Sequence, residues 1–141
     1  MMSRNKMQVL IAGEHFLYRL TLANLLSRVH DIEIVGVTSF SNEAEWTIDN
    51  SPPDVAIVDM DAPDDRGLAL VRRIKQYLPS IGIVALKSNP HDIELFVALK
   101  SQDVACLNKS VKISQLVAVV KQVASTEAVV TAIRRGIVTL D

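Results

Sequence analysis

Five residues, Val55-Ala56-Ile57-Val58-Asp59, constrain the fold more than any other stretch. Four apolar residues run unbroken between a turn-forming Pro52-Pro53-Asp54 and a second loop, Asp61 to Gly67, that contains Pro63. So short an apolar run between turns reads as a strand buried on both faces, as in a parallel sheet. Pro63 has no N–H for a ladder, so the strand ends before it. Asp59 is then left at the C-terminal tip. Ligands of open α/β sheets bind outside that edge, so a carboxylate there is a candidate for chemistry.

The remaining apolar segments repeat this plan. Met7 to Ala12 reads as a buried strand with Gly13-Glu14-His15 as its exit. Tyr18, Leu22, Leu25, Leu26 and Val29 recur at helical spacing. Glu33 to Val37 is a second strand, and Ser41 is a good N-cap for a helix running to about Asn50. Beyond the central strand, Val71, Ile74 and Leu78 predict a helix stopped by Pro79. Gly82 to Leu86 is a fourth strand. Pro90 and Asp92 open a helix carrying Ile93, Phe96, Val97 and Leu99, and Val104 to Asn108 is a fifth strand. Leu116, Val117, Val120 and Ala124 mark a fifth helix. Strands alternating with helices require right-handed crossovers and a doubly wound parallel sheet with helices on both faces. Their tips bring Gly13-Glu14, Asp59, Lys87-Ser88 and Lys109 to one edge: carboxylates and amines around a crevice.

Composition excludes several classes. A chain of 141 residues with 49% hydrophobic residues is one globular domain by size. A formal charge of -1 gives no global signal for nucleic acid or an anionic membrane. A single cysteine excludes an internal disulfide and suits a reducing cytoplasm. No apolar run approaches the roughly 18 residues that a membrane helix needs, and Met1 to Met7 has no signal-peptide apolar region.

Taken together, Val9-Leu10-Ile11-Ala12-Gly13-Glu14-His15, the segment from Pro53 to Gly67, Glu33-Ile34-Val35-Gly36 and Cys106-Leu107-Asn108-Lys109 resemble the receiver domain of bacterial two-component response regulators, nearest to those coupled to a helix-turn-helix module. The likeness covers about Met7 to Ala124. It implies a sheet order of 2-1-3-4-5 and a phosphorelay role in which Asp59 accepts a phosphoryl group. By the same resemblance Glu14, Asp59 and the Asp61 carbonyl would hold Mg²⁺, and Lys109 would pair with the phosphoryl oxygens. The implied donor is a sensor histidine kinase or a phosphotransfer protein.

Three positions depart from the family pattern. Gly13 stands at the first acidic position, Lys87 at the hydroxyl position with Ser88 following, and Cys106 at the aromatic position. An ammonium from Lys87 beside Asp59 would neutralise it much as a metal does elsewhere, so Mg²⁺ affinity is expected to fall. The hydroxyl–aromatic switch lacks its parts. Two further readings therefore stand beside the phosphoacceptor. One is a pseudo-receiver that binds partners without phosphorylation. The other is an aspartyl-phosphate phosphatase, suggested by Asp59-Met60-Asp61 but set against by Ala62-Pro63 and by the motif's place on the third strand.

Other residues carry plainer expectations. Asp64 and Asp65 read as a solvated loop, His15 as an exposed loop residue and Cys106 as a small core residue. Trp46 is expected to cover the buried face of the second helix. The chain divides into a receiver-like domain, residues 1–124, and an extension, residues 125–141. Within the extension Thr126 would cap a short helix, Glu127 to Arg135, ended by Gly136, with Ile137 to Leu140 strand-like. Leu20, Leu95, Val119 and the stripe Val129, Val130 and Ile133 lack an obvious inward place. They suggest a homodimer through the fourth and fifth helices, or through the fifth helix and the tail. DNA binding would require a C-terminal module beyond this chain.

Overall fold

The computed structural model describes residues 6–88 and 93–134; for Ile93, Glu94, Phe96 and residues 125–134 it describes the backbone only. Ten elements alternate. They are β1 (Met7–Ala12), α1 (Phe16–Ser27), β2 (Ile32–Thr38), α2 (Asn42–Asn50), β3 (Val55–Asp59), α3 (Arg66–Tyr77), β4 (Gly82–Lys87), α4 (Ile93–Ser101), β5 (Ala105–Asn108) and α5 (Ile113–Arg134). The strands form one parallel sheet in the order β2-β1-β3-β4-β5. That is the expected order, with β3 at the centre.

Every residue of β3 is buried, as an unbroken apolar strand between two helical layers must be. Alternate side chains feed two cores. Leu10, Ala56, Val58, Ile83 and Ala85 pack with Ile48 of α2, Leu70, Val71 and Ile74 of α3 and Leu99 of α4. Val9, Ile11, Val55, Ile57, Val84 and Leu86 pack with Leu22 and Leu26 of α1 and Leu116, Val120 and Ala124 of α5. Each fully buried Leu or Ile stabilises the fold by about 1.5–3 kcal/mol relative to exposure. Together they make the sheet a stiff platform for its C-terminal edge.

Local signals hold at several boundaries. The Ser41 hydroxyl accepts from the Glu43 N–H at 3.3 Å and caps α2. The chain leaves α3 at Leu78, directly before Pro79.

Other expectations are corrected. Trp46 does not cover a buried face: it is 64% exposed, because the inward side of α2 is already filled by Ala44 and Ile48. Leu25 is likewise on the surface of α1. Leu95 and Val119 do find inward places, each packed against one of the two cores. Thr126 is no cap. With neither Gly nor Pro between Ile113 and Arg134, α5 runs through it unbroken. Pro90, Asp92, Gly136 and the Ile137 to Leu140 stub lie outside the described residues.

Candidate functional site

Parallel pairing brings the strand tips level. Ala12 pairs with Val58, Asp59 with Leu86 and Lys87 with Asn108. The Gly13 N–H donates to the Thr38 carbonyl at 2.9 Å, the Met60 N–H to Leu86 at 2.8 Å and the Lys109 N–H to Lys87 at 3.0 Å. The residue after each of β1, β3 and β5 is therefore locked to the neighbouring strand.

Asp59 is the buried carboxylate of this edge, 3% exposed. Its two oxygens differ. Oδ1 receives the Lys109 ammonium at 2.8 Å and the Asp61 N–H at 3.0 Å. Oδ2 faces His15 Nδ1 at 3.3 Å. The Asp61 carboxylate folds into the same site. Its Oδ2 lies 2.8 Å from Lys109 Nζ, its Oδ1 lies 3.4 Å from Lys87 Nζ, and both oxygens accept from the Ser88 N–H at 3.1 Å. Burial opposes ionisation of Asp61, but the hydrogen bonds from Lys109 and Ser88 outweigh it and hold the carboxyl down at about 2. Lys109 thus bridges both carboxylates. Its Nζ also sits 4.2 Å from the centroid of the Tyr18 ring.

Asp59, Asp61, Lys87 and Lys109 come together as the sequence suggested, but with altered pairings. Lys87 does reach the edge, yet it pairs with Asp61. The ammonium beside Asp59 is that of Lys109, which reaches it from the end of the edge strand β5. Glu14 does not join them. Its Oε1 accepts from the Phe40 N–H at 2.7 Å and lies 3.5 Å from Arg66 Nη1. The backbone donor and the guanidinium draw it away toward the loop before α2.

Sequence reasoning missed two members. His15 was expected in solvent; its side chain is 53% exposed, but its ring nitrogen meets Asp59. Tyr18, assigned only to a helix stripe, reaches Lys109. The available signal was spacing, since Tyr18 follows His15 by three residues and so shares its face of α1.

A crevice of about 360 Å³ opens beside Asp59, lined also by Met60, Pro63, Asp64, Lys87 and Leu95. Cys106 lies under this region. Burial pushes its thiol pKa up, and its Sγ–H donates to the Val104 carbonyl at 3.7 Å, as suits an inert packed thiol.

These residues do not fit a divalent cation. Gly13 supplies no carboxylate, Arg19 Nη1 donates to the Gly13 carbonyl, and Glu14 is turned aside. Asp59 and Asp61 already share an ammonium. Among the described residues no group of three or more His, Cys, Asp or Glu side chains could hold a metal ion.

The response regulator receiver domain family matches residues 9–121. The chain belongs to that family. Among curated relatives of this receiver, response regulator protein VraR of Staphylococcus saprophyticus is 26% identical over 122 residues, covering 86% of this chain and 58% of that protein. The chain thus spans less than two thirds of that relative's length. Two solved structures share the fold. A DNA-binding response regulator of the LuxR family from Staphylococcus aureus aligns with a TM-score of 0.74 at 22% identity, over 84% of this chain and 98% of that one. A CheY-like receiver domain protein from Methanospirillum hungatei aligns with a TM-score of 0.75 at 16% identity, over 87% and 97%. The receiver is therefore a two-component signalling domain by family, and no helix among its described residues is long and apolar enough to cross a membrane.

Proposed function

We propose that this receiver accepts a phosphoryl group on Asp59, from a sensor histidine kinase or a phosphotransfer protein, with weakened dependence on Mg²⁺. The observation that carries the reading is the buried Asp59 carboxylate at the sheet's C-terminal edge, paired with Lys109 at 2.8 Å. Oδ1 is held by two donors and Oδ2 only by the half-exposed His15 at 3.3 Å, so Oδ2 is the oxygen freer to attack. The Oδ2–P bond forms as the bond from phosphorus to the donor's imidazole nitrogen breaks, and that imidazole departs neutral because its other ring nitrogen carries the proton. The product is an acyl phosphate on Asp59. Lys109 then has phosphoryl oxygens to pair with.

The domain acts in signalling rather than as a turnover enzyme. Asp61, held ionised by Lys109 and Ser88, has no proton to give a leaving group, which speaks against the phosphatase reading. The pseudo-receiver reading draws support from one feature. Lys109 bridges both carboxylates and Lys87 pairs with Asp61, so two ammoniums balance two carboxylates without a metal ion. Self-association belongs with either reading; the exposed apolar residues that favour it include Val97 on α4 and Ile113 at the start of α5, the helices expected to make the contact, besides Phe16, Leu17 and Leu20 on α1.

Intact-mass measurement after incubation with acetyl phosphate and Mg²⁺ tests the proposal. One added phosphoryl group, absent in Asp59→Asn, is the expected result. No added mass in the wild type would favour the pseudo-receiver.

A further inference from the structure

Tyr18 takes no part in the chemistry just proposed, yet it touches the site's central cation. Lys109 Nζ lies 4.2 Å from the ring centroid, inside the roughly 6 Å over which an aromatic face attracts a cation. The ammonium therefore has three neighbours: Asp59 Oδ1 and Asp61 Oδ2, each at 2.8 Å, and the ring. The carboxylates draw it toward the sheet edge, and the ring supports it from α1. A lysine stem has four flexible carbons and costs rotamer entropy to fix, so a second hold on its head matters.

The charges of the site reach Tyr18 in turn. Burial first, and then Asp59 and Asp61, push its hydroxyl pKa up to about 12. The ring also has room to respond. With Lys109 it lines a groove of about 130 Å³ between α1 and the start of α5, beside Leu25, Val111 and Ile113. Meanwhile the β5 position where the family carries an aromatic residue is Cys106, whose thiol is occupied locally.

We propose that Tyr18 is the positioning and reporting residue of this site. Its ring seats the Lys109 ammonium between the two carboxylates, and release of that ammonium to a phosphoryl group on Asp59 changes the ring's surroundings. The inference rests on the phosphoacceptor reading. A phosphoryl group carries about two negative charges beyond the oxygen it is attached to. The ammonium turns from the carboxylates toward that charge while the ring still supports it, so its position over the ring face shifts.

The test uses the full chain with Tyr77→Phe, so that ring-labelled tyrosine reports Tyr18 alone. Beryllofluoride with excess Mg²⁺ serves as the phosphoryl mimic, and its own fluorine signal shows whether it is bound. Expected are a bound fluorine signal and shifted Tyr18 ring resonances, both lost in Asp59→Asn. The rate of phosphorylation by acetyl phosphate should fall on the order of tenfold in Tyr18→Leu, the scale of a partly desolvated cation–π contact. It should be retained in Tyr18→Phe, which keeps the ring. Bound fluoride with an unmoved Tyr18 ring would overturn this inference and leave the phosphoacceptor reading standing. A Tyr18→Phe rate as low as that of Tyr18→Leu would overturn it too, by assigning the effect to the hydroxyl. No bound fluoride together with no phosphoryl mass gain would remove the phosphoacceptor reading, and this inference with it.

Discussion

A Cβ placed on Gly13 would stand 2.6 Å from the Cβ of Asp59. Side-chain carbons do not approach that closely, and the obstructing atom is fixed to the β3 backbone rather than at the end of a flexible chain. The tips of β1 and β3 are packed for a glycine. The carboxylate missing from β1 and the close burial of Asp59 are thus one structural feature.

Gly13→Asp should therefore fail to rebuild an acidic pair. Forcing the tips apart is overpacking, which costs about 1–3 kcal/mol. The urea midpoint should fall with an unchanged slope, and Mg²⁺ affinity should not rise. Tight Mg²⁺ binding by this variant at wild-type stability would show that the tips adjust freely.

Asp61 should shape the acid limb of stability. Its folded-state pKa of about 2 lies below the 3.8 ordinary for an aspartate carboxyl. A depressed carboxyl stabilises the fold while both states are ionised, so its contribution is present above about pH 4 and is lost as pH falls through about 2. Asp61→Asn should flatten the fall in stability between those values, read as urea midpoints over a pH series. A parallel fall in both proteins would mean that Lys109 and Ser88 do not hold this carboxyl.

Burial separates Leu10 from Trp46. Leu10 is fully buried beneath the sheet's first face, so Leu10→Ala should cost about 2–5 kcal/mol. Trp46 is 64% exposed, and Trp46→Ala should stay within about 0.5 kcal/mol. Chemical denaturation of both variants checks the contrast. A large loss at Trp46 would return it to the covering role that the sequence suggests.

Leu17 and Leu20 should govern self-association if α1 is the contact. Sedimentation of the wild type at high concentration should show a dimer, and Leu17→Glu with Leu20→Lys should show a monomer of native spectrum. A wild type that stays monomeric would contradict the proposal. A dimer surviving the double change would place the contact elsewhere.

Much of the fold was legible because buried parallel strands announce themselves. Val55 to Val58 admits few other readings, and Ser41 marks its helix. The strand order came through the family likeness. The site was legible as a set of tips, which placed Asp59, Lys87 and Lys109 correctly at one edge. Their pairings were not legible. Whether Lys87 or Lys109 meets Asp59 depends on distances of a few ångströms between stems, which spacing along the chain does not encode. Glu14's partners were not legible for a similar reason. Its competing donors, the Phe40 N–H and Arg66, come from segments remote in sequence. Trp46 failed because an apolar residue need not be inside.

The account turns on Lys109 occupying both carboxylates that a divalent cation would need. Mg²⁺ titration of the wild type and of Lys109→Met, followed through the Ser88 amide resonance that reports Asp61, tests this directly. Removing the ammonium frees both carboxylates, so Lys109→Met should bind Mg²⁺ at least about tenfold more tightly than the wild type. Wild-type binding as tight as that of Lys109→Met would contradict the account.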